Sequence, residues 1–318
     1  MVKIPSDVEA ILKKQKLVEV TNVSSHYHNY ASICLNRKKE IVYIKIRLYP
    51  ELVSHKSFIK EVIFTKFLSE NFFHNKFFIT PKYYKSEIVK KPEWMIRGYT
   101  NGKRMGDVWG FGPEFIKQIS PKEIADFLDF VRSDISKKFK KQKKDSNYRL
   151  FEKNTAVTYK KYFLDYLLLS KKFINAKQQK KVLGIFDKYG KFLEKNNNYL
   201  AHGDLHPGNF VYNKGKIVVH DWKYAHLDNP YIDLAFMWFL LWLNEGWREK
   251  LFALELKRAE NKEVFLKCFF LSILKLAPKM ITIFMQSSHV SEKNRKKGIA
   301  KILKVFNQAI KYLGCRGR

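Results

Sequence analysis

The chain has 318 residues, with 61 lysines and arginines against 30 aspartates and glutamates and a formal net charge of +31. Apolar residues make up 46% and aromatics 15%, enough material for a core in one large domain or two, which excludes disorder as the dominant state. The charge invites a polyanionic partner through counterion release, but lysine far outnumbers arginine, the residue that reads phosphates and bases bidentately, so no specific nucleic-acid recognition is expected.

From the N-terminus, MVKIPSDVEAILKK lacks the apolar stretch of a secretory signal. Residues 16–47 read as strands: Ala31, Ile33 and Leu35 alternate with Ser32 and Cys34, and a polar turn, Asn36-Arg37-Lys38-Lys39, leads into Ile41-Val42-Tyr43-Ile44-Lys45-Ile46. Residues 54–70 predict a helix, with Phe58, Val62 and Leu68 near helical spacing and Ser57 as its cap. A short strand, Trp94-Met95-Ile96, is followed by Gly98, Asn101, Gly102 and Gly106, which make this glycine-rich stretch the best candidate for a domain boundary. Beyond it the pattern turns helical. Helices are expected over 121–139, behind Ser120-Pro121, and over 159–173 and 178–193, then a short β segment, then apolar helices to the end.

Two lysine runs, 137–144 and 171–181, fall at predicted helix ends, where the dipole favours cations. They read as solvated faces, with weak contact to an anionic membrane surface as the partner they would suit. The longest apolar run, 234–243, is too short for a hydrocarbon layer of about 30 Å, and 264–285 is interrupted by Lys267, Lys275, Pro278 and Lys279. Cys34, Cys268 and Cys315 stand far apart without ligand spacing, so disulfides and structural zinc are disfavoured and a cytoplasmic location is expected.

The chemistry concentrates in AHGDLHPGNFVYNKGKIVVHD, residues 201–221. Pro207-Gly208 forces a turn after Asp204, and Asn209 follows that aspartate by five positions, so one compact loop can present both side chains. Two β-runs, Phe210-Val211-Tyr212 and 216–220, joined by Asn213-Lys214-Gly215, are expected to form a hairpin that returns Asp221 to the same loop. A carboxylate, an amide oxygen and a second carboxylate suit a hard cation with phosphate, and leave one carboxylate to accept a hydroxyl proton. The same division of labour, a loop Asp as base with a loop Asn and a strand-end Asp on metal, defines kinase-type phosphoryl transfer. His206 and His220 read as loop-packing or polar-edge histidines.

HGDLHPGN followed by HDWKYAHLDNPYIDLA resembles the aminoglycoside phosphotransferase/choline kinase family of small-molecule kinases, specifically over residues 201–235 and more weakly over the N-terminal third. The resemblance implies an α+β, bilobal protein-kinase-like fold. Residues 1–98 would form a small antiparallel β-sheet lobe with one helix that binds nucleotide. Residues 99–318 would form a large, mostly helical catalytic and substrate lobe, with a hinge at about 96–103. It further implies Asp204 as the catalytic residue, Asn209 and Asp221 as metal ligands, and His202 and Asp233 as braces of the loop. Lys45 would contact phosphate and Glu61, on the following helix, would position it. The hinge backbone at Ile96 and Gly98 would meet the adenine edge, and Ser24 and Ser25 would offer hydroxyls to the phosphates. Mg2+ and ATP or GTP are the implied cofactors.

Three departures bear on specificity. The loop 22–29, NVSSHYHN, holds no glycine; Gly98 stands where the family often has an acidic residue; and Lys223 stands where relatives often have Glu or Asp. Aminoglycosides and choline are cations that need carboxylates or aromatic cages. Trp222, Tyr224, Trp238, Trp242 and Trp247 are the cage candidates, although Trp238 and Trp242 sit at helical spacing among Leu and Phe and read as core. The charge balance favours a neutral or anionic hydroxyl acceptor such as a sugar or glycolipid headgroup. The alternatives are an aminoglycoside or choline kinase proper, and a nucleotide-binding pseudokinase or polyanion-binding scaffold. A protein kinase is disfavoured, since Asp233 follows Asp221 too closely for a peptide-binding activation segment.

Overall fold

The computed structural model describes residues 5–24, 29–48, 54–73, 78–107, 110–142, 146–213, 215–287 and 290–315. In chain order, helix α1 (Ser6–Gln15) precedes strands β1 (Val18–Ser24), β2 (Asn29–Leu35) and β3 (Ile41–Arg47). Helix α2 (His55–Phe72), β4 (Tyr83–Glu87) and β5 (Trp94–Gly98) follow, then the short strands β6 (Lys103–Arg104), β7 (Gly106–Asp107) and β8 (Gly110–Phe111). The helical part runs through α3 (Pro113–Gln118), α4 (Pro121–Phe130), α5 (Ser136–Lys141), α6 (Ala156–Ser170), α7 (Ala176–Lys188) and α8 (Gly190–Asn196). Four more strands, β9 (Tyr199–Ala201), β10 (Phe210–Asn213), β11 (Lys216–Val219) and β12 (His226–Asp228), lead to α9 (Ile232–Leu240), α10 (Glu245–Arg258), α11 (Lys262–Gln286) and α12 (Glu292–Cys315).

Two compact units result: Met1–Lys103 with Val211–Tyr224, and Arg104–Phe210 with Ala225–Arg318. The first therefore runs a few residues past the expected division at residue 98 and takes in the hairpin of β10 and β11. Close packing accounts for this. A Cβ on Gly102 would lie 2.4 Å from Val211 Cγ1 and 2.7 Å from the Tyr212 carbonyl, and the Ile79 N–H donates to Ile217 O at 3.0 Å.

In the first unit the sheet order is β1-β2-β3-β5-β4, with every neighbouring pair antiparallel. Strand β3 is central, and its period of two divides it between faces. Val42, Ile44 and Ile46 pack with Val8, Ile11 and Leu12 of α1, a helix the sequence pattern did not announce. Lys45 alternates to the other face, where its cross-strand partner Met95 packs on Phe58 and Val62 of α2. Because Glu61 lies three residues after Phe58, one face of α2 delivers a carboxylate with its apolar contacts.

The second unit is built from helices with explicit start signals. Ser120 and Glu123 form a capping box ahead of α4, Thr155 and Thr158 another ahead of α6, and Asn175 and Gln178 a third ahead of α7. A π-helical turn, Val131–Ile135, joins α4 to α5, so the single helix expected over 121–139 is a continuous rod of three segments. Helix α11, the described helix long and apolar enough to cross a bilayer, is mostly buried here and packs against α6, α9 and α12. Strands β9 and β12 pair antiparallel and set the chain on either side of the loop that follows.

Candidate active site

In the second unit the chain leaves β9 at Ala201 and turns through Gly203, whose φ of 79° lies in the left-handed region that glycine tolerates. Asp233, in the first turn of α9, holds this turn: its Oδ2 accepts the His202 N–H at 2.7 Å and its Oδ1 the Gly203 N–H at 3.1 Å. His202 is buried, and its Nδ1 accepts the Asp204 N–H at 3.2 Å. Asn209 closes the loop from the other side, its Nδ2 donating to Asp204 O at 2.9 Å. That donation fixes the amide and leaves Oδ1 as the atom available to a cation. His206 braces the loop too, its Nδ1 accepting the Gly208 N–H at 3.1 Å, as the loop-packing reading expected.

Two basic groups flank the Asp204 carboxylate. His206 Nε2 lies 3.6 Å from Oδ2, and Lys279 Nζ, reaching from α11, lies 3.6 Å from Oδ1. Burial lowers the Lys279 pKa below the ordinary lysine value, and the Asp204 carboxylate only partly offsets this. Reasoning from the letters assigned Lys279 no role beyond interrupting an apolar segment. A signal existed: Lys275 and Lys279 are one helical turn apart within an apolar helix, and a buried lysine requires a carboxylate. Lys275 meets that requirement at Asp228, at 2.7 Å.

In the first unit Lys45 is the hub. Its Nζ lies 2.7 Å from Glu61 Oε2 and 3.5 Å from Asp221 Oδ1. Burial alone would lower its pKa, but the Asp221 and Glu61 carboxylates outweigh burial and hold it well above the ordinary lysine value, so the ammonium stays charged. Lys45 lies on the central strand of the sheet and not on an edge. Asp221 adopts φ 64°, a strained setting for a residue with a side chain and one that gathers at functional positions. Lys223 donates to Asp221 Oδ2 at 2.8 Å, so the residue that departs from the family pattern sits directly on the expected metal ligand. Arg97, stacked 4.2 Å over the Tyr43 ring, adds a further cation that sequence reasoning passed over.

Within each unit the residues thus gather as sets: Lys45, Glu61 and Asp221 in one, His202, Asp204, Asn209 and Asp233 in the other. Ser25 lies outside the described residues, as does the side chain of Ser24. Ile96 and Gly98, expected at the adenine edge, lie on strand β5. Ile96 is paired on both sides, to Ile44 and to Lys85, and the Gly98 N–H donates to Lys82 O at 2.7 Å, so the sheet consumes the amide proposed for the nucleotide. The tryptophans are engaged by neighbours of their own: Trp222 with Phe64, Trp238 with Phe252 and Phe269, Trp242 with Phe284, and Trp247 with Phe115.

Residues 154–264 match the model of the phosphotransferase enzyme family. The matched segment contains Asp204, Asn209 and Asp221. No curated protein matches the chain. Among solved structures, a thermostable mutant of the aminoglycoside phosphotransferase APH(4)-Ia, in ternary complex with AMP-PNP and hygromycin B, is similar at 11% identity and a TM-score of 0.60, over 99% of this chain and 100% of that one. The choline kinase LicA from Streptococcus pneumoniae is similar at 14% identity and a TM-score of 0.53, over 97% and 99%. The amicoumacin kinase hAmiN, in complex with AMP-PNP, Ca2+ and Ami, is similar at 15% identity and a TM-score of 0.52, over 96% of each chain. These likenesses show the α+β fold that this chain shares with those kinases.

Proposed function

We propose that the protein transfers the γ-phosphoryl group of ATP or GTP to a hydroxyl of a small molecule, in a Mg2+-dependent reaction. The observation that carries this reading is the Asp204 loop, locked from three sides by His202, Asn209 and Asp233. Asp204 would orient the acceptor hydroxyl and take its proton. Lys45, positioned by Glu61, would hold phosphate oxygens with a charge that does not titrate near neutrality. Asn209 Oδ1 and the Asp221 carboxylate are each a hard oxygen donor of the kind Mg2+ takes, and by the family resemblance each would serve it as a ligand. Bound there, the ion would neutralise charge on the phosphates. Catalysis is then mostly positioning and electrostatics.

The acceptor is a neutral or anionic hydroxyl compound such as a sugar or a glycolipid headgroup. Lys279 beside Asp204 disfavours a cation at the reacting hydroxyl, and the tryptophans that would cage a quaternary ammonium pack into their own surroundings. The structurally similar proteins include a choline kinase and an aminoglycoside phosphotransferase, so those activities are the second reading.

The test is ADP or GDP release across a panel of sugars, phosphosugars, aminoglycosides and choline, with the wild type and Asp204→Asn. Turnover of a sugar-type acceptor is expected, with the variant slower by roughly 10²- to 10⁴-fold, the usual contribution of a general base, and nucleotide affinity retained. An active Asp204→Asn enzyme would overturn the assignment of the base. Efficient turnover of aminoglycosides or choline would overturn the acceptor class, and nucleotide binding without any Mg2+-dependent turnover would leave the pseudokinase.

A further inference from the structure

Helix α6 has two apolar faces. Tyr159, Phe163, Leu167 and Ser170 are buried against the rest of the second unit. On another side Val157, Leu164 and Leu168 remain 73%, 46% and 71% exposed, and Leu169 next to them 49%. Among the described residues of the second unit these are four of five exposed large apolar side chains, the fifth being Leu243. Scattered exposed leucines need no explanation, but a stripe of them does.

At about 100° per residue, Val157, Leu164 and Leu168 fall on one line along the helix. The same projection sets Lys160 along one flank and Lys161 along the other, and Lys171 and Lys172, in the turn just past the helix end, continue the two flanks. Lys160 and Lys161 already pair with Asp187 and Asp165. Lys171 and Lys172 are exposed, and the run continues onto α7 with exposed Lys177, Lys180 and Lys181. An apolar stripe between two rows of lysine is the layout of a helix lying in the plane of a lipid interface: the stripe enters the acyl boundary while the ammonium groups remain at headgroup level.

We propose that the outer face of α6 docks the protein on an anionic lipid surface, with Val157, Leu164 and Leu168 inserted and the flanking lysines over the acidic headgroups. Charge complementarity selects this occupant. A second copy would set lysine rows against lysine rows in a chain of net charge +31, an arrangement that repels. An acidic lipid surface matches both the stripe and its flanks. The inference stands independently of the phosphotransferase reading, because none of these side chains belongs to the Asp204 or Lys45 sets.

The experiment is co-sedimentation of the full chain with vesicles of phosphatidylcholine alone and of phosphatidylcholine mixed with phosphatidylserine. Binding to the mixed vesicles is expected to exceed that to neutral ones and to weaken as salt rises. The double variant Leu164→Glu and Leu168→Glu is expected to lower the partition at least about tenfold, because it removes inserted methylenes and adds like charge to the surface. Unchanged circular dichroism and melting temperature would show that the variant is folded. The proposal is overturned by no binding to the mixed vesicles, or by binding that the variant leaves intact, which would assign it to the general positive field. It is equally overturned by a dimer in sedimentation equilibrium that the variant abolishes, which would make the stripe a contact between copies.

Discussion

Asp228 shows how a single residue sets the acid stability of the second unit. It is fully buried, and its carboxylate takes Lys275 at 2.7 Å, His226 at 3.1 Å and the Asn154 amide at 2.6 Å, with the Tyr159 hydroxyl as a further donor. Burial on its own would raise its pKa; the Lys275 ammonium, with help from His226, overrides burial and holds it far below the ordinary carboxylate range. A depressed folded-state pKa contributes stability that is complete above the unfolded value of about 3.9 and drains away as pH falls below it toward the folded value. Between about pH 4 and pH 2 the wild type should therefore lose melting temperature more steeply than Asp228→Asn, which carries no such proton. At neutral pH that variant should be the less stable, since it leaves the Lys275 ammonium buried beside an amide. Thermal denaturation of both proteins across this range checks the sign, and parallel acid slopes would remove Asp228 from the account.

Two glycines inside helices separate intrinsic propensity from packing. Gly298 of α12 is buried, and a Cβ there would lie 2.3 Å from Cε1 of Phe284, whose ring packs on Trp242 and has little room to yield. Gly184 of α7 is exposed, and a Cβ added there would meet nothing within 4 Å. Gly298→Ala should destabilise by about 1–3 kcal/mol through overpacking, whereas Gly184→Ala should stabilise by about 0.5–1 kcal/mol through helix propensity. Denaturant unfolding reads both, and equal signs would show that the approach of α12 to α11 tolerates a methyl group. The same contrast explains what sequence reading recovers. The start of α4 behind Ser120 and the hairpin of β10 and β11 rest on short-range patterns with a mechanism and are visible in the letters, whereas the pairing of Lys45 with Glu61, sixteen residues apart, is legible only through the family resemblance. Helix α1 is a short amphipathic segment and β4 is a strand without clear alternation, so neither stands out locally. Lys279 reaches Asp204 only because α11 passes behind the loop, a tertiary fact that the spacing of Lys275 and Lys279 hints at without naming the partner.

Across the whole molecule the net charge of +31 is a destabilising term that no single contact reveals. Many of the ion pairs that offset it are exposed i,i+4 pairs, such as Lys66 with Glu70, Lys161 with Asp165 and Lys296 with Glu292, and pairs of this kind contribute little each. The buried pairs of Lys45 and Lys275 lie in low dielectric and are screened much less by salt. Added salt therefore acts mainly on the excess of lysine spread over the surface: the screening length falls from ~30 Å at 0.01 M to ~8 Å at 0.15 M, which shortens the reach of repulsion without releasing the buried pairs. Raising sodium chloride over this interval should increase the melting temperature by several degrees, since about 1 kcal/mol corresponds to roughly 2–4 °C for a domain of 150–250 residues. Chloride is the anion to use, because sulfate would add its exclusion from the protein surface to the effect. A melting temperature that falls with sodium chloride would mean that attractive surface pairs outweigh the excess positive charge, and it would return the lysine runs to a structural role within the fold.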